Sequence, residues 1–219
     1  MNIIITGACG HIGSYLVQNL FKIKKLKKVI LIDNLKTNKF NSIFNLRSKP
    51  KISFFQIDLC KRNSLINFKN IDILIHCASM TNAADSFKNK KEMYLNNLEC
   101  MKNVIKFCKK NKTKLLHISS TSIYGKQAKV VYEDDNHALN PQSPYADIKL
   151  IEEKMLQKLK NKIKFVSFRF GTITGVSPGM RFHTAVNKFC FDTSLGKGIT
   201  VYKTAYNQFR PYLSVRDSF

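Results

Sequence analysis

The chain has 219 residues, enough for one substantial core, or for a full α/β domain plus part of a second. Hydrophobic residues make up 44%, which excludes a disordered chain, and no apolar run reaches the length of a membrane span. Lys and Arg number 37 against 14 Asp and Glu, giving a net charge of +23, but the lysines are scattered over helix faces and loops. That spread reads as compositional bias and argues against a nucleic-acid partner, although an anionic substrate would still be attracted.

Other absences sharpen the expectation. The N-terminus carries neither a charged leader nor a cleavage-like segment, so a soluble, cytoplasmic protein is expected. The six cysteines (Cys9, Cys60, Cys77, Cys100, Cys108, Cys190) show no spacing that would clamp zinc; they read as reduced thiols, and no metal site is expected. Cys9 stands apart because it lies inside a glycine-rich turn.

In chain order, the first strand-like run covers residues 3–6 and leads into Thr6-Gly7-Ala8-Cys9-Gly10-His11-Ile12-Gly13, followed by the helix-like Ser14-Tyr15-Leu16-Val17. Glycine is needed where the backbone takes positive φ or approaches a pyrophosphate, and the helix that follows offers free N–H groups to the anion. A second run, 29–33, ends in Asp33, twenty positions after Gly13, where an acid would accept hydrogen bonds from an adenosine ribose. Between these runs, the lysines at 24–28 sit where the first helix should end.

Further strand-like runs fall at 52–57, 71–76, 115–119 and 165–168, with helical patterns between most of them. The longest helix is expected over 92–110, with Leu98, Met101, Ile105 and Cys108 on one stripe. Another should open at Ser143, a good N-cap followed by Pro144, and run to about residue 161. This alternation predicts a parallel, doubly wound sheet covered on both faces. After Phe170 regularity lapses, leaving one helix candidate at 182–193 and strand-like pieces at 199–202 and 212–215, read as insertions over a site at the strand ends.

Chemistry enters with three residues. Ser120 lies just past the run at 115–119, and Tyr145 and Lys149 stand four apart on the helix opened by Ser143, so they share a face. A tyrosine, with an ordinary pKa of about 10, needs a nearby ammonium and an oxidised nicotinamide to serve as a base. Tyr-x-x-x-Lys taken alone reads first as an amphipathic helix pair, because such spacing is common, and the Ser119–Ser122 run alone as a turn that caps a helix or ends a strand. The order glycine turn, Asp33, Ser120, Tyr145, Lys149 makes the chemical reading the stronger one. Asp33-Asn34, without an adjacent arginine for a 2′-phosphate, points to NAD over NADP, with Lys36 and Lys39 as the dissenting charges.

These motifs, with Asp58-Leu59, His76-Cys77-Ala78-Ser79, Asn96-Asn97, Ser119-Ser120-Thr121-Ser122-Ile123-Tyr124-Gly125, Pro141-Gln142-Ser143-Pro144-Tyr145-Ala146-Asp147-Ile148-Lys149 and Arg210-Pro211-Tyr212-Leu213-Ser214-Val215-Arg216-Asp217, resemble the extended short-chain dehydrogenase/reductase family. The likeness is to its nucleotide-sugar epimerase/dehydratase branch, of the UDP-glucose 4-epimerase type. It implies a Rossmann-type NAD-binding domain over 1–170 and, over 171–219, part of a smaller substrate-binding domain, truncated at Phe219.

The resemblance also implies roles. Gly7, Gly10, His11, Ile12 and Gly13 would lie against the pyrophosphate, Asp33 and Asn34 at the ribose, and Asp58 and Leu59 beside the adenine. Ala78 and Asn97 would stand on the nicotinamide side. Tyr145 would be the catalytic base, Lys149 its partner, and Ser120 the group that steadies the substrate oxygen. Arg210 would grip a sugar-nucleotide diphosphate, with Thr172, Arg181 and Asn187 as further substrate contacts. Dehydratases of the branch resemble one another in an Asp-Glu pair after the Ser or Thr; Thr121 and Ser122 stand there, which favours epimerisation through a keto sugar. A reductase or dehydrogenase of the same fold, or a non-catalytic nucleotide-binding fragment, remains the alternative. Family members are often homodimers through the helices corresponding to 92–110 and 143–161.

Overall fold

The computed structural model describes residues 1–47, 50–81, 86–127, 130–203 and 206–219. Six strands form one parallel sheet: β1 (Asn2–Thr6), β2 (Lys28–Asp33), β3 (Lys51–Gln56), β4 (Ile73–His76), β5 (Lys114–Ser120) and β6 (Phe165–Phe170), in the spatial order β3-β2-β1-β4-β5-β6. The sequence runs outward from β1 in one direction and from β4 in the other. The strand order therefore reverses between β1 and β4, and such a reversal opens a crevice at the carboxyl ends of those strands.

Apolar runs dictate this arrangement. Ile3, Ile5, Val29 and Leu31 point to one face and pack with Leu16 and Val17 of α1 (His11–Asn19) and with Leu20 just past its end. Ile4, Ile30, Ile32, Leu74 and Leu115 point to the other and meet Met101 and Val104 of α2 (Lys90–Asn111) and Leu156 of α3 (Pro144–Gln157). Central strands buried on both faces read as unbroken Ile, Val and Leu, which is why they are visible in sequence.

Several expected bounds shift. The first helix starts at His11, inside the glycine turn, and ends at Asn19 before a 3-10 turn at Leu20–Lys22, so the lysines at 24–28 lie past it. Among the described residues, only a 3-10 turn, Phe40–Ile43, lies between β2 and β3. Ser143 caps α3 as expected, its Oγ accepting the Ala146 N–H at 3.2 Å. The helix closes at Gln157 rather than near 161, because tight turns follow, with Leu159 N–H on Leu156 O at 2.8 Å. The late helix α4 spans Ala185–Ser194. Beyond the main sheet, β7 (Thr172–Thr174) and β8 (Tyr212–Ser214) form a two-stranded parallel sheet, while residues 199–202 form no strand.

Candidate active site

The turn after β1 shows why glycine is required there. Gly7 has φ +66°, and a Cβ on it would lie 2.7 Å from the backbone N of Ala78, at the end of β4. A Cβ on Gly13 would collide with the Gly7 carbonyl oxygen and stand 2.9 Å from Ala8 Cα. The glycines thus let the start of α1 press against the strand end, where His11, Ile12 and Gly13, in the first turn whose amides have no partner within the helix, line the crevice. Its volume is about 540 Å³, within the range of ligand-binding cavities.

Asp33 sits at the tip of β2, on the crevice wall. One carboxylate oxygen accepts the Cys9 N–H at 3.0 Å and the other the Leu35 N–H at 2.9 Å, so the acid is fixed while keeping lone pairs for a ligand hydroxyl. Asn34 also lines the crevice, its Oδ1 accepting the Lys36 N–H at 3.1 Å. Lys36 Nζ is held by Glu92 at 3.0 Å, and Lys39 Nζ donates to Gly179 O and Met180 O at 3.1 and 2.7 Å. Both amines that could have met a 2′-phosphate have protein partners. Cys9 is fully buried, and burial, then the Asp33 charge, push its thiol up to about 11; at neutral pH it packs rather than reacts.

Leu59 and Ala78 both line the crevice. Asp58 does not line it, and its Oδ1 accepts the Cys60 N–H at 3.0 Å. Asn97 is buried and clamps the backbone of Met80 from both sides, accepting its N–H at 2.8 Å and donating to its carbonyl at 3.0 Å. It shapes the wall on which Ala78 and Met80 lie.

Tyr145 and Lys149 lie near crevice residues Arg181 and Cys77 respectively, although neither they nor Ser120 line the crevice itself. Lys149 Nζ lies 5.9 Å from the centre of the Tyr145 ring, and its charge is felt at Cys77. Tyr145 acts electrostatically on both Lys149 and Arg181. Ser120 closes β5, and its Oγ accepts the Ser122 N–H at 3.2 Å, so the capping reading of this serine also holds. Its own O–H is left to donate. Burial alone would lower the Lys149 pKa, but Glu152, at 2.8 Å, reverses this and raises it, so the ammonium persists.

The later candidates divide. Arg181 lines the crevice, with one terminal nitrogen on Thr81 Oγ1 and its Nε buried without a partner among the described residues. That orphan donor is positioned for an acceptor from a ligand. Asn187 is buried but engaged by backbone, accepting the Gly175 N–H at 3.1 Å and donating to Arg181 O at 3.0 Å, so it orients Arg181. Thr172 lies in β7, half-buried. Arg210 is exposed and donates to Gln208 Oε1 at 2.7 Å, apart from the crevice-lining residues.

The sequence pattern of residues 177–187 suggests a base- and phosphate-binding loop followed by a helix; it does not reveal that the start of this segment fastens the C-terminal part onto the turn. Ser177 Oγ donates to His11 O at 2.9 Å, Gly179 N–H donates to Ser14 Oγ at 2.8 Å, and a Cβ on Gly179 would strike the Gly10 carbonyl at 2.6 Å. The Pro178-Gly179 step was its only sequence signal.

The profile of the NAD dependent epimerase/dehydratase family matches residues 3–218. The chain is similar to the uncharacterized UDP-glucose epimerase YtcB of Bacillus subtilis, 29% identical over 199 residues, covering 86% of this chain and 62% of that protein. The structure superposes on UDP-glucuronic acid 4-epimerase from Bacillus cereus, solved with UDP-glucuronic acid and NAD, at 28% identity and TM-score 0.87, covering 99% of this chain and 70% of that one. It likewise matches UDP-N-acetylglucosamine 4-epimerase from Methanobrevibacter ruminantium, solved with UDP-N-acetylmuramic acid, at 25% identity and TM-score 0.86, covering 99% and 69%. The chain thus spans about two thirds of the length of these relatives, and less than that of YtcB.

Proposed function

Since the chain belongs to the NAD dependent epimerase/dehydratase family, we propose that it is an NAD-dependent epimerase of a nucleotide sugar, acting through a transient keto sugar. The observation that carries this reading is the Tyr145–Lys149 pair on α3, set beside a crevice at the point where the strand order reverses. Residues 1–170 are taken as the cofactor-binding domain and 171–219 as part of the substrate-binding region. The reading extends to a cytoplasmic homodimer joined through α2 and α3; six free thiols and the lack of a membrane-spanning helix among the described residues are in keeping with the first part.

The residues suit the dinucleotide. Gly7, Gly10, His11, Ile12 and Gly13 would hold its pyrophosphate, Asp33 and Asn34 the adenosine ribose, and Asp58 and Leu59 the adenine side. Ala78, and Asn97 through Met80, would bound the nicotinamide path. The chemistry that bound NAD supplies is reversible acceptance of a hydride. Tyr145 Oη would remove a proton from the sugar hydroxyl and later return it, with Lys149 as the cation beside it. The Ser120 O–H would donate to the same sugar oxygen, and Tyr145 and Lys149 would also meet the nicotinamide ribose. Arg181 would bind the sugar nucleotide through its orphan Nε, with Thr172 and Arg210 as outer contacts.

Hydroxyls rather than carboxyls follow Ser120, and Thr121 Oγ1 is turned to Phe170 O at 3.3 Å. An acid for expelling water is thus missing from those two positions, which supports epimerisation over dehydration. Tyr145→Phe is expected to lower turnover of UDP-sugars at least about a hundredfold while NAD binding changes little. Turnover near wild type would defeat the assignment, and net accumulation of NADH would replace the epimerase by a dehydrogenase.

A further inference from the structure

The helix that carries Tyr145 and Lys149 also turns two carboxylates into the protein interior. Glu153 is matched by Arg169 from β6, with Arg169 Nη2 at 2.7 Å from Glu153 Oε2. Glu152 is matched differently. Its Oε2 accepts from Lys149 Nζ at 2.8 Å and from His117 Nε2 at 2.9 Å, and all three side chains are almost wholly buried, with 1%, 3% and 0% exposure respectively. His117 Nδ1 faces Ser167 Oγ at 3.0 Å.

Since the carboxylate can only accept, it draws the Nε2 proton of His117 toward itself and leaves Nδ1 to accept from the serine. Burial lowers the His117 pKa, so this ring is neutral and the cation facing Glu152 is Lys149. The other titratable and charged groups around the pair are His76 and Cys77 at the end of β4, Cys100 from α2, and Tyr145 and Glu153 on α3 itself. Burial keeps His76 neutral and drives both thiols up, and Arg169 engages Glu153, so Glu152 is the anion left to face Lys149.

We propose that Glu152 is a positioning residue for the reaction: one oxygen, clamped between His117 and Lys149, fixes the site of the lysine ammonium and keeps it a cation beside Tyr145. The inference rests on the function proposed above, but its physical basis is independent of turnover. An amine with 3% exposure and no counter-ion sheds its proton, because burial penalises the charged form. Losing that proton would remove the positive charge next to the tyrosine.

The test titrates Lys149 directly, by NMR of isotope-labelled lysine side chains, with the signal identified by its loss in Lys149→Met. In the wild-type chain Lys149 should titrate above the ordinary lysine range, whereas in Glu152→Gln it should titrate at least about one pH unit below the wild type. Glu152→Asp keeps the charge on a shorter stem and should fall between the two. In Glu152→Gln, kcat should drop on the alkaline side in step with that titration, with KM changed less than about threefold. A merely structural role would lower the melting temperature and leave the lysine titration where it was. Equal titration in wild type and Glu152→Gln overturns the proposal; if Glu152→Gln does not fold, an unshifted Glu152→Asp does so. A shifted lysine in a chain whose wild type converts no UDP-sugar would sink the proposed function and leave the role of Glu152 standing.

Discussion

Gly13 lies in the first turn of α1 with its Cα against the Gly7 carbonyl, and a methyl there has backbone on its far side. Backbone cannot swing away as a flexible side chain can. Gly13→Ala is therefore expected to destabilise the fold by about 1–3 kcal/mol, the usual cost of overpacking, and to weaken NAD binding at least about tenfold. Thermal melts and calorimetric titration read the two effects. Residues of this kind are legible in sequence because their role is set by local backbone chemistry: Gly7, Gly13, Asp33 and the Ser143 cap all take the predicted places. Roles fixed by distant partners are not legible. That Asn97 grips Met80, that Asn187 orients Arg181, and that Glu152 meets His117 depend on contacts spanning 17, 6 and 35 positions, the first and last of which cross between elements. One signal was available for Glu152: it sits three residues after Lys149, on the same helix face as the buried Leu156.

At the scale of elements, α3 is tied to β6 by Arg169 and Glu153. The guanidinium reaches both carboxylate oxygens, at 3.1 Å from Nε and 2.7 Å from Nη2, and also donates to Tyr124 Oη at 2.5 Å and Glu133 O at 2.7 Å. Arg169→Met would leave a largely buried carboxylate whose other close partner is Ser119 Oγ, at 2.5 Å. Breaking one side of such a pair costs about 3–5 kcal/mol, while replacing both sides with apolar groups can be nearly neutral. Urea denaturation should therefore show a large loss for Arg169→Met and recovery in the Arg169→Met/Glu153→Leu double variant. The four central strands and the two long helices were legible because each buries an apolar run with the right period, whereas the edge strands β3 and β6 are covered only in part. The run at 199–202 looked like a strand but pairs with no strand among the described residues; Ile199 and Val201 are about half exposed. The pairing of β7 with β8, across roughly forty residues, carries no local signature.

For the whole molecule, the buried histidines set the response to acid. Burial holds His76 at about 3, below its ordinary 6.5, so the folded state resists a proton that the unfolded chain accepts. A group of this sign costs nothing above about pH 7; stability falls as pH drops below 6.5 and continues to fall toward 3. Between pH 7.5 and 5.5 the loss from His76 alone is on the order of 1 kcal/mol, with His117 acting in the same direction. Glu152 adds to it only in stronger acid: burial pushes its carboxyl up, but Lys149 and His117 outweigh this and hold it at about 2, so its contribution is lost as pH falls below its ordinary 4.5. Chemical denaturation at the two pH values should show this slope, and His76→Gln should flatten it.

The loop from Ser177 to Met180 is bonded to the carbonyl of His11, the hydroxyl of Ser14 and the amine of Lys39. Residues 1–170 are consequently not a detachable module. A fragment cut at residue 170 would bare the start of its first helix and release Lys39, so the segment that follows the main sheet in sequence acts as an outer wall of the crevice.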